Sequence, residues 1–123
     1  MEHKNTILIA GGKAEPELLS TLENLYLQQG WEVYFSQQTE YEKINQAINT
    51  IIIDGRKLNA FIYISPPPLR GSMLDDDDNI IANTMNDDLE RGLWWVQSAC
   101  KKMVQQGVER RVVTLAHIAA LVP

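Results

Sequence analysis

Several features that would narrow the function of this chain are scarce in its sequence. Cys100 is the single cysteine, so no disulfide can form within the chain, and its place in a helical pattern predicts a small buried side chain. Basic residues are outnumbered, with 11 Lys and Arg against 16 Asp and Glu, which gives a formal net charge of −5. This balance argues against nucleic acids and anionic membranes as partners, because both bind positively charged surfaces.

Long hydrophobic runs are also missing. No stretch approaches the roughly 20 apolar residues that a membrane-spanning helix needs. The first residues, Met1 to Asn5, lack the basic and apolar regions of a secretory signal and lead straight into a strand. We therefore expect a cytoplasmic protein with a reduced cysteine. The 123 residues are enough for one domain, so we predict a single domain over 1–123.

The chain is organised around a short apolar run that ends in two glycines, Thr6 to Gly12. Such a run is typical of a parallel strand that is covered on both faces. Pro16 and the leucines that follow at helical spacing predict a helix that ends near Gly30. Similar patterns predict three more strands and two more helices: strands at 31–35, 60–64 and 111–115, and helices at 40–53 and 81–106.

The helix predicted at 40–53 leaves two questions, one at each end. Thr39 is the predicted N-cap, with Glu42 three residues later completing a capping box. The β-branched triplet Ile51 to Ile53 is also compatible with a strand. The unbroken helical period before the triplet favours a helix.

The predicted elements alternate as β-α-β-α-β-α-β with short connections. This alternation predicts an α/β fold with a parallel sheet between two layers of helices. With right-handed crossovers and a central first strand, the expected strand order is second, first, third, fourth. The predicted architecture is thus a three-layer, Rossmann-like domain with about four strands.

The last helix carries an apolar stripe, which we expect to face the sheet. Because Leu93 and Val96 belong to this stripe, Trp94 and Trp95 cannot both be buried, and at least one should lie at an interface. The full stripe consists of Ile81, Met85, Leu89, Leu93, Val96, Cys100, Met103 and Val104.

Three segments resemble one enzyme family, the short-chain dehydrogenases/reductases. Met103 to Gly107 with Arg111 to Pro123 is similar to that family's long helix, the strand after it and the segment that follows. Leu58 to Ile64 resembles the strand before the family's Asn-Asn-Ala-Gly loop, and Ala10-Gly11 matches its first Thr-Gly. The order of these segments resembles the N-terminal half of such an enzyme, which implies a NAD(P)-binding Rossmann fold.

The cofactor loop departs from the family pattern. Gly11 matches the first glycine of the phosphate loop, whereas Glu15 and Glu17 stand where the other two glycines are. Their carboxylates would occupy the place of a phosphate, so NAD or NADP binding is disfavoured. The acidic ribose contact of the family is missing near Ser36. The remaining candidate cofactor-binding residues are Gly11, Gly12, Ser65 and Arg70.

The catalytic positions depart as well. The resemblance places the family's catalytic asparagine near Asp88 and its catalytic serine at His117, while the Tyr-x-x-x-Lys motif would fall beyond Pro123. We therefore expect no carbonyl reduction by the family mechanism. His117 is the one catalytic candidate, since it ends a strand where α/β sheets bind ligands, and a packing histidine is the alternative. Asp75 to Asp78 lacks the spacing of a calcium loop, so no metal site is predicted.

The sequence therefore predicts a non-catalytic binding or interaction module related to short-chain dehydrogenases. The family's long helix commonly packs against its counterpart in a second subunit, which implies a homodimer through Asn83 to Gln106. Two alternatives stay open: a domain that binds NAD(P) or another small ligand, and an inactive subunit that supports a complete reductase. The predicted interface residues are Leu89, Trp94, Trp95, Ser98 and Lys102.

Overall fold

A computed structural model of the chain describes residues 4–12, 15–52, 56–65, 78–108 and 112–117. Strands and helices alternate along these ranges as the sequence predicts. The elements are β1 (Thr6–Gly11), α1 (Pro16–Gln28), β2 (Glu32–Ser36), α2 (Tyr41–Ile51), β3 (Leu58–Ser65), α3 (Asp78–Gln105) and β4 (Val112–His117).

The strands form one parallel sheet in the order β2-β1-β3-β4. The predicted α/β class and the order second, first, third are confirmed. Next to them, β4 pairs with β3 in a register that sets His117 beside Ser65. Because all strands are parallel, the loops after β1, β2 and β3 leave from one edge of the sheet.

The central strand β1 is covered on both faces. Ile7 and Ile9 belong to a core cluster that α1 covers, whereas Leu8 and Ala10 belong to a second cluster under α2 and α3. All four side chains are fully buried. This two-sided burial explains why the first strand has a continuous apolar run and no alternation with polar residues.

The helix α2 corrects one sequence prediction and confirms another. Its N-cap is Glu40, without a capping hydrogen bond from the side chain, so the capping box at Thr39 is wrong. The helical interpretation of the isoleucines is confirmed as far as Ile51, the last residue of α2. The burial of Ile44, Ile48 and Ile51 explains the helical period that the sequence shows.

The sheet-facing side of α3 differs from the prediction. Gly92, Trp95, Ala99 and Met103 are buried, and of these Met103 belongs to the predicted stripe, whereas Leu93 of that stripe is 57% exposed. Cys100, predicted to be buried, is half-exposed. The small residues at positions 92 and 99 let the helix backbone approach the sheet on either side of the Trp95 indole. A stripe drawn through the large aliphatic residues misses most of this face, because glycine and alanine contribute little to an apolar pattern.

The helix α3 has 28 residues. Neither it nor any other helix in the described ranges is long and apolar enough to cross a membrane.

A polar network fastens the edge of the sheet where the strands begin. Gln106 accepts the Leu58 N–H at 2.9 Å and donates to the Arg56 carbonyl oxygen at 2.9 Å. The Arg56 guanidinium donates to the Tyr34 hydroxyl, which in turn donates to the Glu32 carboxylate at 3.0 Å. These bonds fix the entry into β3 against the end of α3 and the start of β2, on the side opposite the candidate site.

Candidate functional site at the carboxyl edge of the sheet

The two glycines after β1 lie where the carboxyl ends of β1 and β3 meet. Gly11 and Gly12 have φ angles of 79° and 74°, in the left-handed region that favours glycine. The Gly12 N–H donates to the Ile64 carbonyl oxygen at 3.2 Å. A Cβ atom on Gly11 would lie 2.2 Å from that same oxygen, which no side chain tolerates. The close approach of β1 to β3 thus requires glycine here, with or without a bound phosphate.

The turn after the glycines leads into α1 through Glu15. Its N–H donates to the Gly12 carbonyl oxygen at 2.9 Å, and its carbonyl oxygen accepts the Leu19 N–H at 3.1 Å. Glu15 is the N-cap of α1, but its carboxylate makes no capping hydrogen bond, and Pro16 has no N–H to offer a ligand. The side chain of Glu17 is exposed in the first turn.

Two negative charges therefore lie at the N-terminus of α1. Both are favourable beside the partial positive charge of the helix dipole. They sit at the end of a helix that, in dinucleotide-binding folds, faces a pyrophosphate. The predicted placement of Glu15 and Glu17 at this helix end agrees with the structure.

The segment after β2 crosses the end of β1. Gln37 donates from Nε2 to the Gly11 carbonyl oxygen at 2.7 Å. The Trp95 indole N–H donates to the Gln38 carbonyl oxygen at 3.0 Å. Sequence reasoning missed both glutamines, since two polar residues after a strand look like any loop. The first bond holds the segment between β2 and α2 against the end of β1, and the second fastens the same segment to α3.

Of the other candidate residues, Ser65 and His117 lie at this edge of the sheet. Ser65 ends β3 and lies beside His117, the last residue of β4, in the sheet register. Arg70 and Asp75 to Asp77 lie outside the described residues. Within the described ranges, no group of three His, Cys, Asp or Glu residues is placed to hold a metal ion.

The fold has known counterparts, although no family model and no curated protein sequence matches the chain. A short-chain dehydrogenase from Oenococcus oeni superposes with a TM-score of 0.63 at 14% identity, over 92% of this chain and 61% of that one. A short-chain type dehydrogenase/reductase from Mycobacterium ulcerans gives 0.64 at 14% identity, over 98% and 54%. The protein ElxO with NADPH bound gives 0.66 at 19% identity, over 97% and 58%.

The chain has the fold of the short-chain dehydrogenases/reductases. The resemblance read from the sequence is confirmed for the fold. Sequence identities below 20% show a shared fold and nothing finer. The chain spans between half and two thirds of the length of these structures. Its sheet is that of a nucleotide-binding fold, and its glycine turn lies where such folds bind the cofactor phosphates.

The predicted interface residues on α3 take different positions. Trp95 is 1% exposed and stacks on Phe61 inside the domain, so its prediction as an interface residue is wrong. Its small neighbours on the helix leave room for the indole over the sheet. Trp94 is half-buried and meets the ring of Tyr41 edge to face, with ring centroids 5.7 Å apart.

The other three predicted interface residues differ in exposure. The hydroxyl of Ser98 donates to Asn45 of α2 at 2.7 Å, so this side of α3 packs within the chain. Lys102 is half-buried, and Leu89 is 58% exposed. Leu93 and Val104 are exposed to a similar degree, at 57% and 60%. The exposed apolar face of α3 is therefore Leu89, Leu93 and Val104, with the half-exposed Val96 and Cys100 between them.

Proposed function

We propose that this chain is a non-catalytic binding and interaction module with the short-chain dehydrogenase fold, and that it does not bind NAD or NADP tightly. The observation that carries the proposal is the pair of acidic residues at the N-terminus of α1, Glu15 and Glu17. A pyrophosphate placed at this helix end would meet two carboxylates. Gln37, bonded to the Gly11 carbonyl, adds bulk over the same turn.

Electrostatic repulsion between these carboxylates and a pyrophosphate supports the proposal. Two unit charges 4 Å apart near a protein surface repel by about 4 kcal/mol, and solvent screening at exposed side chains reduces this further. A micromolar affinity corresponds to about −8 kcal/mol. Two carboxylates beside a doubly charged pyrophosphate therefore weaken the binding that the fold would otherwise supply.

Calorimetric titration with NAD and with NADP tests this proposal. We expect no binding at micromolar concentrations for the native chain, and a measurable gain for the double variant Glu15→Gln with Glu17→Gln, because the charge is removed with little change in shape. Glu23→Gln is the control for position, since it removes one negative charge from the same helix about two turns away. Micromolar binding by the native chain would refute the proposal.

The interaction role rests on the exposed face of α3. Leu89, Leu93 and Val104 place three large aliphatic side chains on one helix, each more than half exposed. We propose that this face, within the helix 83–106, pairs with its counterpart in a second copy. Pairing of two identical apolar faces is the simplest arrangement that removes both from water.

Light scattering of the purified chain tests the helix interface. Leu93→Lys should shift the protein toward smaller species, since it places a charge in the middle of the apolar face. Gln105→Lys adds the same charge to an exposed polar position about 120° away around the helix, outside this face, and should leave the mass unchanged. An unchanged mass for Leu93→Lys would exclude α3 as the interface.

A second candidate function is binding of a nucleotide. It is favoured by the fold, since the structurally similar ElxO was determined with NADPH and with NADP bound. The same calorimetric titration decides between the two functions. A third, in which the chain is the inactive subunit of a complete reductase, would use the same face of α3 and appear as binding of that reductase in place of self-association.

A further inference from the structure

The strand β2 lies at one edge of the sheet. Within the described ranges it pairs with β1 and with no other strand. The Glu32 N–H donates to the Asn5 carbonyl oxygen at 2.8 Å, which fixes the direction of the backbone groups along the strand. Because these groups alternate, the backbone of Tyr34 and Ser36 also faces β1, and that of Val33 and Phe35 faces outward. Four backbone groups of two apolar residues are thus presented at the edge.

Along its described residues, this edge lacks three features that often prevent strands from pairing between molecules. Exposed edges are commonly interrupted by proline, lysine or a bulge. The sequence of β2 contains neither residue, and its register with β1 runs without a shift. Phe35 is 37% exposed although its neighbour in the register, Ile9, is fully buried. The edge is regular, apolar and aromatic.

We propose that β2 is a second self-association site, at which it pairs antiparallel with β2 of another copy around a twofold axis through Tyr34. In this register Val33 lies opposite Phe35 of the second copy, and Phe35 lies opposite Val33. Each of these two pairs exchanges two hydrogen bonds, so all outward groups of both residues are satisfied. The four described strands of each copy then form one continuous sheet of eight.

The side chains and charges fit this antiparallel register. On the face of α1, each Phe35 packs beside a Val33, an aromatic and β-branched pair that favours strand pairing. On the other face the two Tyr34 side chains lie together. Each Glu32 lies opposite a Ser36, and the two Glu32 residues are about 13 Å apart along the strands. A parallel pairing would set the two carboxylates side by side in a protein of net charge −5, which disfavours it.

This site is independent of the face of α3 described above, since it uses a different element of the fold. Removal of one contact should leave the other intact. A chain that uses both would form assemblies larger than a dimer, and loss of either contact would reduce their mass. The two proposals can therefore fail separately.

Engineered cysteines test the register directly. In the background Cys100→Ser, Tyr34→Cys places two cysteines opposite each other in a pair without hydrogen bonds, with Cα atoms about 4.5 Å apart, which suits a disulfide. We expect this variant to form a covalent dimer under mild oxidation. Ser36→Cys is the matched control, because it faces Glu32 of the second copy and should remain a thiol. Equal cross-linking of both variants, or none for Tyr34→Cys, would refute the proposal.

A proline variant tests the hydrogen bonds. Phe35→Pro removes an N–H that points away from β1, so the ladder within the chain is kept while the pairing between copies is lost. We expect the dissociation constant of the β2 contact to rise about tenfold or more. Phe35→Thr keeps the N–H and the strand preference and should weaken the contact less. In Leu93→Lys the cross-link at position 34 should persist, which separates this site from the contact through α3.

Discussion

The indole of Trp95 stacks on the ring of Phe61, with ring centroids 5.9 Å apart and planes inclined by 22°. The same indole donates its N–H to the Gln38 carbonyl oxygen. One side chain thus joins α3 to the central part of β3 and to the segment after β2. Its burial explains why α3 lies on the sheet in a different rotation from the one that its leucines indicate.

Trp95→Ala should lower the free energy of unfolding by about 3–5 kcal/mol, because it opens a cavity between α3 and the sheet and leaves the Gln38 carbonyl without its donor. Trp94→Ala is the matched control. It removes the same side chain from a half-buried position, so a smaller loss is expected. Urea unfolding followed by circular dichroism measures both. Equal losses would contradict the assignment of Trp95 as the buried residue of the pair.

Gly11→Ala should destabilise the protein much more than Gly107→Ala. Both glycines have positive φ angles, 79° and 67°, so both variants carry the cost of a left-handed residue, about 1–2 kcal/mol. A Cβ on Gly11 also collides with the Ile64 carbonyl oxygen, whereas one on Gly107 meets nothing within 4 Å. The difference between the losses of unfolding free energy in the two variants measures the cost of the clash with the Ile64 carbonyl oxygen. Similar values for the two would exclude a steric requirement at Gly11.

Gln106→Ala should lower the free energy of unfolding by about 1–3 kcal/mol, because the Leu58 N–H and the Arg56 carbonyl both lose their partner in a half-buried place. Gln105→Ala, one residue earlier and exposed, should change stability by less than about 0.5 kcal/mol. Chemical denaturation of the two variants checks this. A silent Gln106→Ala would show that the network does not stabilise the fold.

Burial, and then the hydrogen bond to the Glu32 carboxylate, raise the pKa of the Tyr34 phenol above its ordinary value of 10.0. The folded protein therefore holds this proton more tightly than the unfolded chain. The stability that follows is fully present below pH 10.0 and is lost as the pH rises through the folded pKa. Tyr34→Phe should remove this part of the alkaline loss. Phenolate absorbance of the native protein and of the variant locates the titration.

Much of the fold is predictable from the sequence because burial imposes a period on it. The isoleucines of α2 repeat every three or four residues because one side of the helix is buried. The strand β1 is apolar throughout because both of its faces are covered. Parallel connections then leave few possible strand orders, and the observed order is the simplest of them.

The candidate site is less predictable, since its contacts join residues that are distant in the sequence. Gln37 lies 26 positions from Gly11, and Gln38 lies 57 positions from Trp95. No local pattern marks a loop residue that will bond across a sheet edge. The acidic pair at α1 was visible because Glu15 and Glu17 are local to the helix start.

The sequence alone determined the alternation of strands and helices, the central place of the run that ends at Gly11, and the negative charge at the start of α1. Local propensity and burial period are properties of short segments, so they can be read there. Only the tertiary structure decided why Gly11 must be glycine and which face of α3 is buried. The first depends on the approach of Ile64 and the second on the packing of Trp95 over Phe61, which are contacts between segments far apart in the chain.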